Sequence, residues 1–402
     1  MNAPGPKLGS IRINPDWARL PLFDRKGWKH LPFGEFAESV NERVEPSAAA
    51  EEIYVGLDDL DPQDLRIRRW GKGSDVIGTK LRFRKGDLIF GRRRAYQRKL
   101  AVAEFDGICS AHAMVVRAKQ DMVLPEFLPF LMMSDRFMKR AVEISVGSLS
   151  PTINWTTLKH EEFDLPPIDQ QRHVTEILCA IEGAIEAFGN ERAAADNARE
   201  CLIFERLQTM ASNDCDVVPL AEACERIVDG THFTPTYVAN GVPFLRVTDI
   251  QGISIDWNNV KRISPSEHKQ LCQRCSPQKG DVLLSKNGTI GITRVVDWEE
   301  EFSIFVSLCL LRAKESLLPE YLAEALSSKY VQDQFHKRSK QGTVTNLHLV
   351  EIRDCRLPVP SKVLQKDLIQ VSSSFFAAIT AMEVRRDAML KLRKEMLETF
   401  LA

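Results

Sequence analysis

The sequence predicts an α+β chain made of two pseudo-symmetric globular units, each followed by one long helix. Three observations carry this. Val174, Ile181, Phe188, Ala195 and Leu202 recur every seven residues, and Ile177, Leu178 and Ile185 fill the same face. Such a period marks a helix that packs lengthwise on another helix. A second seam of Leu368, Val371, Phe375, Ala378, Met382, Met389, Leu392 and Met396 steps by three and four, with Arg385 its one charged intruder. The third observation is an internal repeat at an offset near 194 residues. Lys85-Gly86-Asp87-Leu88 returns as Lys279-Gly280-Asp281-Val282, and Arg117-Ala118-Lys119 as Arg312-Ala313-Lys314. Leu124 to Leu128 returns as Leu318 to Leu322, Gly147-Ser148 as Gly342-Thr343, and Leu165-Pro166 as Leu357-Pro358. A period this long duplicates a domain together with its helix and does not build a solenoid.

The boundaries follow. Residues 1–165 form the first globular unit, 166–212 the central helix, 213–358 the second unit and 359–402 the C-terminal helix. Pro166 and Pro167 open one helix, and Pro358 and Pro360 the other, where proline interrupts no helical hydrogen bond. Four hundred and two residues suit two domains with a core each. A net charge of -1 does not announce a simple basic nucleic-acid binder, so any such role needs local patches. No apolar run is long enough to span a bilayer and no signal-peptide core opens the chain. Nine scattered cysteines suggest reduced, buried thiols and a cytoplasmic protein, not a disulfide framework.

In order along the chain, residues 1–12 read as a loose arm. Asn14-Pro15-Asp16-Trp17 is superficially like an adenine-methyltransferase motif, but its third position is wrong and no glycine-rich cofactor loop follows. Leu31 to Val44 suits a short helix ending before Pro46, and Ile53 to Leu57 a β-branched and aromatic strand. Gly73 to Lys80 has P-loop spacing, but Thr79 and Lys80 are in the wrong order, which leaves a turn before a strand. Leu88 to Phe90, Leu100 to Ala103 and Ala113 to Val116 are strands. Leu124 to Val142 is one helix, Gly147 to Trp155 a polar turn, and Phe163 to Leu165 a last strand. In the second unit, Val218-Pro219-Leu220 parallels Trp28 to Leu31. A polar loop, Asp229 to Pro235, precedes Gly241 to Ile250. Phe302 to Arg312 is an apolar strand pair and Leu318 to Phe335 a helix.

The stretch Gly91-Arg92-Arg93-Arg94-Ala95-Tyr96-Gln97-Arg98-Lys99 places five cations and a tyrosine between two strands. Arginine grips phosphates or bridges guanine, and glutamine bridges adenine. Charge runs are more often solvated surface. The duplicate changes that balance: the same framework position in the second unit carries Ser285, Lys286, Asn287 and Thr289, polar but different in nearly every residue. Thr231 and His232 in the Asp229–Pro235 loop join them as candidates. A retained framework with changed loops suits two heads reading different targets. Cys272 and Cys275 with His268 lack the second ligand pair that a structural zinc site needs. No histidine pairs with a serine or cysteine nucleophile at a defined spacing, so no catalytic centre is expected.

Two diverged units, each ending in Leu-Pro and a glutamine-bearing long helix, resemble the specificity subunits of type I restriction–modification enzymes. The residues are Leu165-Pro166-Pro167-Ile168-Asp169-Gln170-Gln171 and Leu357-Pro358-Val359-Pro360 to Gln365. The two Lys-Gly-Asp strand entries and Gly230 to Pro235 with Val242 to Ile250 match as well. The second Leu-Pro lacks the acidic-Gln pair directly after it, and the opening of the first unit is less typical. The resemblance implies that each unit is a target recognition domain for one half of a split double-stranded DNA sequence. It implies two antiparallel helices forming a coiled coil, whose seam includes Val174, Ile181, Phe188, Leu202, Leu368, Phe375, Met382, Met389 and Met396. It implies docking of two methyltransferase (modification) subunits and of a restriction/translocase subunit. S-adenosylmethionine, ATP and Mg would then be bound by those partners, and this chain would be non-catalytic. A coiled-coil scaffold without DNA readout is the competing expectation. A helix of about thirty-three residues is roughly 50 Å long, or some fourteen base pairs. The half-sites are therefore expected somewhat more than one DNA turn apart.

Overall fold

The computed structural model describes residues 20–213, 215–252, 254–339 and 346–401. The N-terminal arm, the Asn14–Trp17 turn and the Gly342-Thr343 copy lie outside them. The chain divides into two compact units, residues 1–189 with 384–402, and residues 190–383. Both long helices, Ile168–Ser212 of 45 residues and Lys362–Leu401 of 40, contribute to each unit. The central helix falls within the 166–212 span expected for it, and exceeds only the thirty-three residues taken for the spacing estimate.

In the first unit a four-stranded antiparallel sheet runs in the order Ala37–Val40, Met114–Ala118, Leu88–Phe90, Leu100–Val102. Side chains alternate across a strand, and here both faces are covered. Leu88, Phe90, Met114 and Val116 enter the core that also holds Phe33, Phe127 and Phe137. Ile89 and Val115 point the other way, into a second core with Val55, Phe83 and Cys109. That is why these strands read as unbroken apolar runs. The second core is closed by a five-stranded sheet, Arg43–Val44, Lys80–Phe83, Gly107–Cys109, Ile53–Val55 and Gly71–Lys72. Lys29–Pro32 pairs with Glu162–Leu165 beside the first core.

The second unit repeats this plan. Cys224–Asp229, Leu308–Ala313, Val282–Ser285 and Thr293–Val295 form a sheet of the same order and direction. Val282, Leu284, Cys309 and Leu311 face one core, and Leu283, Leu308 and Leu310 the other. Val217–Pro219 pairs with Arg356–Pro358 as the counterpart of the small sheet. The Lys-Gly-Asp turns match in detail. Gly86 and Gly280 adopt φ of 91° and 88°, which glycine alone takes without strain. Buried Asp87 receives two hydrogen bonds from Arg117, at 2.7 and 2.9 Å. Buried Asp281 receives two from Arg312, at 2.7 and 2.8 Å.

Four expectations need correction. Leu31 to Val44 is not a helix: only Phe33–Phe36 is helical, and Ala37–Val40 is extended because it pairs with Met114–Ala118. Long-range pairing overrides local propensity there. The helix expected from Leu124 to Val142 is two, Leu128–Met133 and Asp135–Glu143, broken at Ser134. Ser134 Oγ caps the second by accepting from the Phe137 amide at 3.2 Å. The helix expected from Leu318 to Phe335 breaks the same way at Ser328 into Pro319–Ser327 and Lys329–Arg338. Not all thiols are buried, since Cys179 and Cys201 lie exposed on the central helix.

Within the first unit the helix segments are antiparallel. Arg393 donates to Glu182 at 2.6 Å, and Gly189 lies opposite Arg386, so one number rises as the other falls. Val174, Leu178, Ile181 and Ile185 are buried in one core with Met396, Leu397, Phe400 and Leu401, while Phe188, Met389 and Leu392 are half-buried. Within the second unit Arg192 pairs with Glu383, Arg199 with Ser372 and Arg206 with Asp367, again antiparallel. There Leu368 is buried and Phe375 and Met382 are half-buried. Leu202 is only half-buried, and Ile203, Leu207 and Met210 take the inner positions. A straight helix drifts about 20° per heptad, which over four heptads approaches one residue. The strict seven-residue count therefore lands one position early.

Candidate nucleic-acid interface

The basic loop of the first unit is closed at its base by Gly91, whose amide donates to Lys99 O at 2.9 Å. A Cβ on Gly91 would sit 3.2 Å from Lys99 Cβ, a tight fit that a larger residue could keep only by shifting Lys99. Arg94 and Arg98 both take left-handed backbone, φ 57° and 54°, and flank a single 3-10 turn, Ala95–Gln97. These reversals sort the cations. Arg98 turns inward and donates to Asp135 at 2.5 Å and to Met133 O at 2.9 Å. Lys99 donates to Leu57 O at 2.6 Å. Both hold the loop in place, contrary to their selection as DNA contacts. Gln97 is half-buried, Arg94 is exposed and Tyr96 is 56% exposed.

Arg92 borders a cleft that the sequence reading missed, and Arg93 lies next to it in the chain. Arg92 donates to Ala111 O at 3.0 Å, and Arg93 lies 3.4 Å from His112 Nε2. Asn41, Arg43, Thr79, Lys80, Arg92 and Trp155 line the cleft. Lys80 is buried, and its ammonium holds the turn before it by donating to Ile77 O and Gly78 O at 2.5 and 2.7 Å. Burial lowers the His112 pKa, and the charges of Arg93, Arg92 and Lys80 lower it further. The one signal in the sequence was Thr79-Lys80, seen only as a failed P-loop.

In the second unit several candidates also turn inward. Ser285 is buried and its Oγ accepts from the Ile292 amide at 2.8 Å, which closes the loop. Lys286 is 4% exposed and pairs at 3.4 Å with Asp229, itself 3% exposed. Asp229 also receives Arg274 and faces His232 Nε2 at 3.0 Å. Thr231 is buried, and Asn287 is bridged to Asn346. His232, Phe233, Arg274 and Thr289 face outward. Thr231, His232, Phe233, Gln270, Arg274 and Ser303 line a cleft beside them. Phe233, Asp229 and Arg274 were missed; Arg274 lies 45 residues from its carboxylate, beyond any local pattern.

His268 sits 2.9 Å from Ser303 Oγ and 3.4 Å from Cys272 Sγ, and burial pushes the Cys275 thiol up to about 12. Among the described residues no group of His, Cys, Asp and Glu is placed to hold a metal ion, and no helix is long and apolar enough to cross a membrane.

Comparison with known proteins adds the following. Residues 72–193 match the family model "Type I restriction modification DNA specificity domain". The EcoBI specificity subunit of Escherichia coli is 25% identical over 149 residues, 36% of this chain and 31% of that protein. The Escherichia coli EcoDI specificity subunit is 30% identical over 182 residues, 42% of this chain and 39% of that protein. The chain thus matches only about a third of the length of these relatives. The MjaVIII specificity subunit of Methanocaldococcus jannaschii is 20% identical over 93% of this chain and 92% of its own length. A chain solved in work on complex assembly and conformational transition of the type I R-M system is 22% identical. It covers 93% of this chain and 98% of its own, with a TM-score of 0.58. The S subunit structure from M. genitalium is 12% identical, covers 93% and 96%, and has a TM-score of 0.54. These likenesses show the fold.

Proposed function

We propose that this chain is a specificity subunit of the type I restriction–modification kind, the family its matches point to, and that each of its two units reads one half of a split DNA sequence. One observation supports this most directly. The framework is repeated down to single hydrogen bonds, whereas the loops at one end of the two four-stranded sheets, after Leu88–Phe90 in the first and after Val282–Ser285 and Cys224–Asp229 in the second, differ. Arg92 to Tyr96 present cations and an aromatic ring in one unit. His232, Phe233 and Thr289 present hydrogen-bonding and aromatic groups in the other. Shared scaffold with unlike tips is what reading two different base sequences requires. The paired helices serve as the spacer and as the dock for two modification subunits. Those bring S-adenosylmethionine, and a translocase–nuclease subunit brings ATP and Mg. The chain itself does no chemistry and works in the cytoplasm.

The test is exchange of Trp28 to Leu165 for the same unit of a relative, followed by mapping of methylated adenines in the host genome. One half of the recognised sequence should change. A change in both halves, or none, rules out two independent readers, and a scaffold without DNA contact predicts none.

A further inference from the structure

Leu149 is 92% exposed at the tip of a short loop in the first unit. The loop is built to hold it there. Val146 and Thr152 exchange two backbone hydrogen bonds of 3.0 Å, and Gly147 makes the turn with φ 113°. It is also stitched to the basic loop: Arg94 N donates to Pro151 O at 2.8 Å, Ile153 N to Arg92 O at 3.0 Å, and Thr152 bridges Arg93. Neither segment carries a carboxylate, from Leu88 to Ala103 or from Ser145 to His160. An aliphatic tip raised beside three arginines suits a partner that is anionic yet offers a small apolar target. The major groove of a duplex has both, since phosphates flank the grooves and thymine displays a methyl group there. Resting on the DNA-reading role above, we propose that Leu149 contacts the 5-methyl group of a thymine in the half-site read by the first unit.

The test uses the full chain assembled with its modification subunits on the mapped target duplex. Each thymine of that half-site is replaced in turn by uracil, which removes only the methyl. At one position uracil should weaken binding about fourfold, the worth of one buried methyl-sized group. Leu149→Ala should weaken binding by a similar factor or more and abolish the effect of uracil at that position, while Leu149→Met keeps both. Independent losses at every thymine, or a Leu149→Ala complex that binds like the parent, overturn the contact. Preserved target binding in those cases leaves the DNA-reading role standing. Failure of the unaltered complex to bind its mapped target overturns that role and the contact with it. A surface-exposed leucine carries no core packing, so the variants fold.

Discussion

Gln171 and Gln365, at an offset of 194 residues, make the same three hydrogen bonds. Gln171 accepts from Leu124 N at 2.9 Å and donates to Met122 O and Pro166 O at 3.1 and 2.8 Å. Gln365 accepts from Leu318 N at 2.8 Å and donates to Ser316 O and Pro360 O at 2.9 and 2.8 Å. Each ties the first turn of a long helix to the loop before a domain helix, and both are fully buried. Gln171→Ala leaves that amide and those carbonyls unpaired, at a cost of about 1–3 kcal/mol per orphaned group. Amide exchange should rise around Leu124 and Pro166 and stay unchanged around Leu318. Gln365→Ala should do the converse. Uniform faster exchange across both units in either variant refutes two separate locks.

This pair also shows what the sequence could and could not reveal. The duplicated Lys-Gly-Asp turn was legible because glycine and a buried carboxylate are needed in both copies. The second glutamine looked out of place because Ser361 to Leu364 replace the Asp-Gln spacing of the first copy. Only the fold shows that Gln365 reaches the same three groups. The middle strands were legible as apolar runs, but not the sheets on either side, whose short strands pair across long stretches of chain. The basic loop was found, yet charge alone does not say which way a side chain points. Left-handed backbone at Arg94 and Arg98 decides that, and no residue type there announces it.

Arg94 and Arg98 should therefore behave oppositely. Arg94→Ala removes an exposed cation and leaves the fold intact. Target binding by the assembled complex should weaken, and the slope of log affinity against log salt should fall by about one. Arg98→Ala breaks the ion pair with Asp135 and leaves Met133 O without its donor. The first unit should lose about 1–3 kcal/mol, read as a lower midpoint in urea. An Arg98→Ala unit as stable as the parent, or an unchanged salt slope for Arg94→Ala, contradicts this sorting.

The small sheet of the first unit carries a titratable contact. His30 Nδ1 lies 2.6 Å from Asp164 and Nε2 lies 2.9 Å from Glu162, and Arg136 also pairs with Asp164. The hydrogen bond to Asp164 raises the His30 pKa above its ordinary 6.5. A raised folded pKa stabilises fully below 6.5 and is lost as pH rises through the raised value. Burial pushes the Asp164 carboxyl up, but hydrogen bonds from His30 and Arg136 outweigh it, so its pKa falls below 3.8. That contribution is present above 3.8 and lost on acidification. Exchange of the Lys29, His30 and Leu31 amides should quicken more between pH 6 and pH 8 in the parent than in His30→Asn, after correction for intrinsic rates. Identical pH profiles would remove His30 from the account.

The helices offer the last test. Seven residues inserted into each, one insertion between Glu182 and Gly189 and its match between Arg386 and Arg393, preserve the antiparallel pairing that these residues mark. A heptad turns the seam by only about 20° and lengthens the helix by about 10 Å, or roughly three base pairs of duplex. If the helices set the spacing, mapped methylated adenines should show both half-sites unchanged and the unread gap longer by about three base pairs. An insertion into one helix alone means that Arg393 beside Glu182 and Arg386 beside Gly189 cannot both be kept, and it should cost assembly instead. A gap that keeps its length through the paired insertion would assign the spacing to the partner subunits.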